Sequence, residues 1–229
     1  MDIRPEVQSV LPELERVRRE LHAMPEDGYR EFETQKYVFD YLFALAPGRL
    51  EKLAGTGIKA VFFAKEPKRT TAFRADMDAL PITEDTGLPF ASKTPGFMHA
   101  CGHDAHMASA LLTAALVAGH RDELTENVVF LFQPAEEGLL GAAKMIGEGA
   151  LEAPHVDRIF GFHIYPGIPE GKIALREGPM MARATGLNLT IRGKSAHGAK
   201  PHLGNDAIVA AAALVTMLDG PGSHSRTVT

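Results

Sequence analysis

The sequence predicts an α/β protein, in which strands alternate along the chain with helices. Short apolar or β-branched runs at residues 58–64, 71–74 and 128–132 have the composition of strands. Segments with apolar residues at three- and four-residue intervals, which are typical of amphipathic helices, lie before and between these runs. Strands that alternate with helices in this way favour a layered α/β domain.

The first two helices are predicted at residues 5–22 and 32–46. In the first helix the apolar residues recur at the helical spacing, and Pro12 is an awkward member of its early turns because proline lacks an N–H. Gly, Pro and Lys residues then separate the next two apolar runs, which we expect to be adjacent strands. A loop follows at residues 81–95.

The middle of the chain predicts a helix followed by a buried strand. We expect Asp104 to cap this helix, which continues to about Ala118 and ends at Gly119. The apolar run at 128–132 is continuous, which suits a strand buried on both faces in a parallel sheet.

A short helix at 139–146 and a strand at 158–163 complete the predicted α/β part. In sheets of this kind, ligands gather at the carboxyl ends of the strands. Polar residues follow three of the predicted strands, at 74–78, 133–137 and 162–165. We therefore expect these segments to meet the beginning of the third helix in one cleft.

The character of the sequence changes towards its end. Residues 185–191 alternate like a half-exposed strand, residues 193–204 form a polar loop with two histidines, and residues 207–218 form an Ala- and Val-rich helix. These elements predict the start of a second domain of α+β type. We expect the two domains to cover residues 1–182 and 183–229.

Composition excludes several classes of function. The chain has 229 residues, of which 45% are hydrophobic, and this is enough for a large core. Its 24 basic and 29 acidic residues give a net charge of −5 without a basic stripe, so we expect no nucleic-acid partner.

Cysteine usage and hydropathy bear on the compartment. One cysteine cannot form an intrachain disulfide, which fits a reducing compartment. The first ten residues lack the apolar run of a signal peptide, and no segment approaches the roughly 20 apolar residues of a membrane span. We expect a cytoplasmic protein without a membrane partner.

The segment His-Ala-Cys-Gly-His-Asp-Ala-His at residues 99–106 carries the strongest chemical signal. It places the only cysteine, Cys101, two residues before His103, and thiolate and imidazole are both good ligands for Zn²⁺. A buried single cysteine can also be a small apolar filler of the core. The choice between these interpretations depends on the neighbouring motifs.

Glu136 and Glu137 follow the predicted buried strand directly. They can be solvated loop acids, or they can divide a catalytic task. In the second interpretation one carboxylate binds a metal ion, while its neighbour takes a proton from metal-bound water and gives it to a leaving group. A cation makes the adjacency favourable because it offsets the repulsion of the two negative charges.

His163, at the end of the last predicted strand, is a further candidate ligand. A lone histidine after an apolar run is more often a hydrogen-bonded core residue. Together with Cys101, His103 and Glu137, however, metal coordination is the favoured interpretation.

Four segments in order resemble the M20 metallopeptidase family, in its amidohydrolase branch. That branch includes N-acyl-amino-acid amidohydrolases, hippurate hydrolases, auxin-conjugate hydrolases and N-acetyldiaminopimelate deacetylases. The resemblance runs from about Leu14 to Leu218. The segments are Arg-Ala-Asp-Met-Asp-Ala-Leu-Pro-Ile at 74–82, His-Ala-Cys-Gly-His-Asp at 99–104, Gln-Pro-Ala-Glu-Glu-Gly at 133–138 and Gly-Lys-Ser-Ala-His-Gly-Ala-Lys-Pro-His at 193–202.

The resemblance implies a fold and a set of metal ligands. The fold is a three-layer αβα, zinc-peptidase-like catalytic domain, incomplete in this chain, followed by the start of an α+β, ferredoxin-like lid domain. The implied cofactors are two divalent metal ions, Zn²⁺, Mn²⁺ or Co²⁺. The implied ligands are Cys101, which bridges the two ions, and His103, Glu137 and His163.

The resemblance also implies catalytic roles. Glu136 matches the general acid and base, and His197 in the lid matches the residue that reaches the substrate amide or its oxyanion. Asp76 and Asp78 are expected to orient a ligand without binding metal themselves. For Asp104 and His106 the expected roles are a helix cap and a partly exposed helix residue.

The implied reaction is metal-assisted hydrolysis of the amide bond of N-acyl amino acids. Glu136 removes a proton from metal-bound water, the hydroxide attacks the acyl carbonyl, and Glu136 returns the proton to the departing amine. The substrate is thus a small molecule, and the resemblance also allows a homodimer. The nearest motif-level likeness is to bacterial deacylases of N-acetyldiaminopimelate or of N-acyl amino acids in general.

Two other functions remain open. The chain stops at Thr229, inside the expected lid and before the last histidine ligand of the family pattern, so we expect a fragment of a longer enzyme. Such a chain can act only as a metal- or ligand-binding module. Alternatively, Cys101 can be the nucleophile of a thiol hydrolase with His103 as its base.

Overall fold

The α/β prediction is confirmed in the computed structural model, which describes residues 5–138, 140–180 and 188–218. The chain divides into two units, Met1–Ile173 and Ala174–Thr229. The predicted domain boundary between 182 and 183 lies outside the described residues and stays a prediction.

The first unit contains four α-helices and five strands within the described residues. A single 3₁₀ turn, Arg121–Glu123, precedes the fourth strand. The elements in chain order are α1 (Pro5–His22), α2 (Phe32–Ala44), β1 (Arg49–Leu53), β2 (Gly57–Phe62), β3 (Thr70–Asp76), α3 (His103–Gly119), β4 (Asn127–Gln133), α4 (Gly141–Gly147) and β5 (Arg158–Gly161).

The five strands form one mixed sheet in the order β1-β2-β4-β3-β5. Strand β4 is parallel to β3, as predicted, but antiparallel to β2. Strand β5 is parallel to β3 on the other side, so β3, β4 and β5 all run in one direction. Their carboxyl ends therefore lie at the same edge of the sheet.

The sheet is covered by helices on both faces, because its central strands are apolar on both sides. Alternate residues of β4 separate cleanly: Val128, Phe130 and Phe132 pack against α1, α2 and α3, whereas Val129 and Leu131 pack on the face of α4. This gives three layers of helix, sheet and helix.

Several predicted elements are shifted or absent. The segment Arg49–Leu53 forms strand β1 although charged residues hide its strand character. The last strand ends at Gly161, which leaves His163 in the segment beyond it. The strand predicted at 185–191 falls partly outside the described residues, and its described part, 188–191, is not a strand.

The second unit is described by residues 174–180 and 188–218. It holds the 3₁₀ turn Pro201–Leu203 and helix α5, Ala207–Leu218, which matches the predicted helix. Lys194 and Asn205 form an isolated antiparallel bridge. The ferredoxin-like lid stays a prediction. No helix in the described ranges is long and apolar enough to cross a membrane.

A prediction about the hydrophobic core concerns Phe130 in the central strand β4. Its side chain is fully buried, with one edge-to-face contact to Phe62 and a stacked contact to Phe73. We expect Phe130→Ala to lower the free energy of unfolding by about 3–5 kcal/mol, because it removes buried area and leaves a cavity. Urea unfolding followed by circular dichroism measures this change.

The matched control is Phe43→Ala at the end of α2, where the ring is 70% exposed. We expect this variant to differ from the parent by about 0.5 kcal/mol or less. Equal losses in the two variants would contradict the placement of Phe130 in the core.

Candidate metal centre

The candidate centre lies where three parallel strands end and helix α3 begins. Asp76 is the last residue of β3 and pairs with Gln133, the last residue of β4. Gly161 ends β5 beside Arg74. The polar segments that follow these strands are therefore brought to one edge of the sheet, where α3 starts at His103.

Three overlapping groups of side chains that could bind a metal ion form at this edge within the described residues, and one of them is Asp76, His103 and His106. One ligand atom each from Cys101, His103 and His163 lie within 4.8 Å of one another, and the same holds for His103, Glu136 and Glu137. The Cys101 Sγ to His163 Nε2 distance is 3.3 Å. Five of the six site residues predicted from the sequence thus come together.

His103 is buried, and only one of its ring nitrogens is engaged. Its Nδ1–H donates to the backbone carbonyl of Asp78 at 2.8 Å, and since a carbonyl only accepts, the proton must be on Nδ1. Within the described residues Nε2 has no hydrogen-bond partner although it is buried. The nearest carboxylate oxygens belong to Asp76, at 3.6 Å, and Glu137, at 3.9 Å.

The two adjacent glutamates are held by a tight turn. Ala135 has a φ of +52°, and its N–H donates to the carboxylate of Glu31 at 2.8 Å. The N–H of Glu137 donates to Asp78 Oδ2 at 2.9 Å. A side chain at Gly141 would overlap with the carbonyl of Pro134, so the chain can fold back here only because residue 141 is glycine.

The pKa values of two carboxyl groups at this edge, Glu136 and Asp76, are shifted in opposite directions. Burial, followed by the charges of Glu137 and Asp76, raises the pKa of Glu136. Burial also acts to raise the pKa of Asp76, but the hydrogen bond from His106 and the charges of His103 and Arg74 outweigh it, so that this pKa falls to about 2. Two neighbouring carboxylates thus differ in how readily they accept a proton.

The expected role of His106 as a partly exposed residue is wrong. The ring is fully buried, and its Nδ1–H donates to Asp76 Oδ1 at 2.7 Å. His106 lies three residues after His103 on the same helix, and this spacing places both side chains on one face. The spacing was the signal in the sequence that could have found it.

The expected role of Asp104 as a helix cap is also wrong. The residue before the helix is Gly102, whose φ of +93° suits glycine, and no side chain caps the helix there. The buried Asp104 carboxylate instead accepts from His22 Nδ1 at 2.7 Å and from Arg18 Nε at 2.8 Å. It ties α3 to α1, because a buried charge needs partners wherever the fold offers them.

The family model for peptidase family M20/M25/M40 matches residues 72–224 of the chain. The chain belongs to this family. An N-acetyldiaminopimelate deacetylase of Listeria monocytogenes serotype 4a is 45% identical over 207 residues, which is 90% of this chain and 55% of the relative. The chain thus spans about half the length of the curated relatives it matches.

Solved structures of M20 proteins have the same fold. A proposed aminohydrolase from methicillin-resistant Staphylococcus aureus superposes with a TM-score of 0.78 at 39% identity, covering 93% of this chain and 56% of that one. The YXEP protein of Bacillus subtilis, a dinuclear metal-binding peptidase of the M20 family, superposes with a TM-score of 0.71 at 43% identity. It covers 75% of this chain and 48% of that one.

Within this M20 chain, the thiol of Cys101 is held in its neutral form. Burial, together with the nearby charge of Glu137, raises the pKa of Cys101 to about 12. Its hydrogen-bonding neighbour is His163, whereas His103 donates to Asp78. A nucleophilic cysteine needs a lowered pKa and an adjacent base, so this arrangement disfavours the thiol-hydrolase alternative.

His197 belongs to the second unit and is described there by itself. Its Nδ1 accepts the N–H of Ala199 at 3.1 Å within the loop that precedes α5. Its predicted part in catalysis stays a prediction.

The structure adds Glu31 to the residues that build the edge. Its side chain is fully buried, and besides Ala135 it accepts a short hydrogen bond from the hydroxyl of Thr56. We expect Glu31→Ala to lower the free energy of unfolding by about 1–3 kcal/mol for each donor left without a partner. Glu33→Ala, at an exposed position in the first turn of α2, is the matched control.

The pH dependence of Glu31→Gln has a defined sign. Burial raises the pKa of Glu31 above its ordinary value of 4.5. A group whose pKa is raised on folding stabilises below its unfolded pKa and loses that contribution as the pH rises through the folded pKa. The parent should therefore lose stability relative to Glu31→Gln over that range, measured by urea unfolding at each pH. An unchanged difference would show that Glu31 titrates normally.

Proposed function

We propose that the complete protein hydrolyses the amide bond of N-acyl amino acids, with N-acetyldiaminopimelate as the first substrate to test. The observation that carries the proposal is the buried Nε2 of His103, which lacks a hydrogen-bond partner in the described residues and lies among Cys101, His163 and Glu137. A buried imidazole nitrogen without a partner is costly unless a ligand occupies it.

The side chains present fit a divalent metal. Thiolate, imidazole and carboxylate together suit Zn²⁺, Mn²⁺ or Co²⁺. Cys101, His103, Glu137 and His163 are the side chains that would hold the ions. When bound, the ions supply Lewis acidity that polarises an acyl carbonyl and lowers the pKa of water.

Glu136 is suited to move the proton in this reaction. Its carboxylate is adjacent to Glu137 but is not tied by any side-chain hydrogen bond within the described ranges, so it is free to face a substrate. As general base it takes the proton of the attacking water, and as general acid it gives that proton to the departing amine. The products are a carboxylate and a free amino acid.

His197 would stabilise the negative charge on the acyl oxygen. The proposal draws support from the segment Gly-Lys-Ser-Ala-His-Gly at 193–198, which matches the lid motif of the family. The proposed role of His197 assumes two domains, a catalytic domain at 1–182 and a lid at 183–229. A hydrogen bond from an imidazole stabilises the developing oxyanion most strongly when water is excluded from the site.

The substrate class is supported by the curated relatives. The Listeria relative and a Priestia megaterium relative, 44% identical over 207 residues, are both named N-acetyldiaminopimelate deacetylases. Because this chain spans 55% of each, the activity of the whole protein is assigned here by proposal.

The test separates metal chemistry from thiol chemistry. Metal content and Co²⁺ absorption are measured for the parent, for Cys101→Ser and for Glu136→Gln. We expect Cys101→Ser to lower bound metal, because it removes a ligand, and Glu136→Gln to keep it. An unchanged metal content in Cys101→Ser would favour the thiol hydrolase instead.

Turnover of N-acetyldiaminopimelate is then followed by amine release, with other N-acetyl amino acids as competitors. We expect Glu136→Gln to reduce turnover by about 10²–10⁴-fold, the usual contribution of a general base. The exposed Glu33→Gln is the matched control, and the full-length Listeria enzyme is the positive control. Metal binding without turnover of any N-acyl amino acid, both in this chain and in a chain extended to the length of its relatives, would support the binding-module alternative.

A further inference from the structure

His106 has no lone pair left for a metal ion. Its Nε2 accepts the backbone N–H of Ile164 at 3.0 Å, so this nitrogen carries the lone pair and the proton lies on Nδ1. The Nδ1–H is given to Asp76 Oδ1 at 2.7 Å. Although Asp76, His103 and His106 are close enough together to be a ligand group, His106 is fully used inside the protein.

Ile164 connects His106 to the candidate ligand His163. Its N–H goes to His106, and its carbonyl accepts Nδ1–H of His163 at 2.6 Å. This leaves the lone pair of His163 on Nε2, the nitrogen that lies 3.3 Å from Cys101 Sγ. The side chain of Ile164 covers Gly102, where any Cβ would overlap with it.

The segment that carries His163 has few other anchors. Strand β5 ends at Gly161, and residues 162–165 have no regular structure and are exposed. The ring of His106 packs edge-on against the rings of His163, at 4.6 Å between centroids, and Phe162, at 5.2 Å. A histidine ligand on such a segment needs a partner that holds its ring and tautomer.

We propose that His106 is a positioning residue of the centre: through Ile164 it holds residues 162–165 so that His163 presents Nε2 beside Cys101. The inference rests on the proposed function, because it gives His106 a purpose in a metal centre. In this arrangement the carboxylate of Asp76 orients the ring of His106, and His106 in turn orients the ring of His163 through Ile164.

The first test needs no metal. Nitrogen chemical shifts of the histidine rings in the metal-free chain report the tautomer of each ring. We expect both His106 and His163 to show the tautomer with the proton on Nδ1, and we expect His106→Phe to abolish the single tautomer of His163. An Nε2–H tautomer of His106, or a His163 unaffected by His106→Phe, overturns the inference.

The second test is a double-mutant cycle on Co²⁺ affinity. We expect His106→Phe to weaken binding by about 10–100-fold, the usual effect of losing an outer partner of a ligand. In the His163→Ala background the same substitution should have no further effect, because the residue it positions is gone. His106→Gln, whose amide oxygen can still accept from Ile164, should restore part of the affinity.

Equal losses from His106→Phe in both backgrounds overturn the inference, because His106 would then act independently of His163. Lys59→Met is the stability control: Lys59 is buried, and its amino group contacts the carbonyls of Gly149 and Glu152 and none of the candidate ligands. It should lower the unfolding midpoint without changing Co²⁺ affinity. A parent chain that binds no Co²⁺ contradicts the proposed function, and the ring tautomers then decide on His106.

Discussion

The candidate centre depends on Asp78, which joins three elements at once. Its backbone carbonyl takes the Nδ1–H of His103, the first residue of α3, and its carboxylate takes the N–H of Glu137 after β4. Asp78 itself follows β3. One residue thus fixes the tautomer of a histidine and the position of a glutamate, and without it neither would be held against the other.

The buried carboxylates around Asp78 explain why histidine and arginine side chains also lie in this part of the protein interior. Asp76, Asp78 and Asp104 are all nearly fully buried, and each has histidine or arginine partners. Burying a charge is costly unless it is paired, so these partners are a condition for placing carboxylates here at all. A bound cation would also offset the negative charge of these carboxylates. The Nε2 of His103, which has no hydrogen-bond partner within the described residues, lies beside Asp76 and Glu137 and so could bind it.

The sequence predicted the elements well where local pattern decides them. Helices α1, α3 and α5 and strands β2 to β4 follow from the spacing of their apolar residues, because each must bury one face or both. Strand β1 was not predicted because three of its five residues are charged; its pairing with β2 stabilises it as a strand. Five of the six predicted site residues converge because the carboxyl ends of parallel strands share an edge.

The residues by themselves determined the layered fold, the Cys-Gly-His-Asp motif and the adjacent glutamates, since these depend on neighbours in the chain. Only the tertiary structure decided which partner each polar group takes. Asp104 binds His22, 82 positions away, and His106 binds Asp76 and Ile164 from two different strand ends. Such choices depend on burial, which forces each polar group to find whichever partner the packed chain brings near.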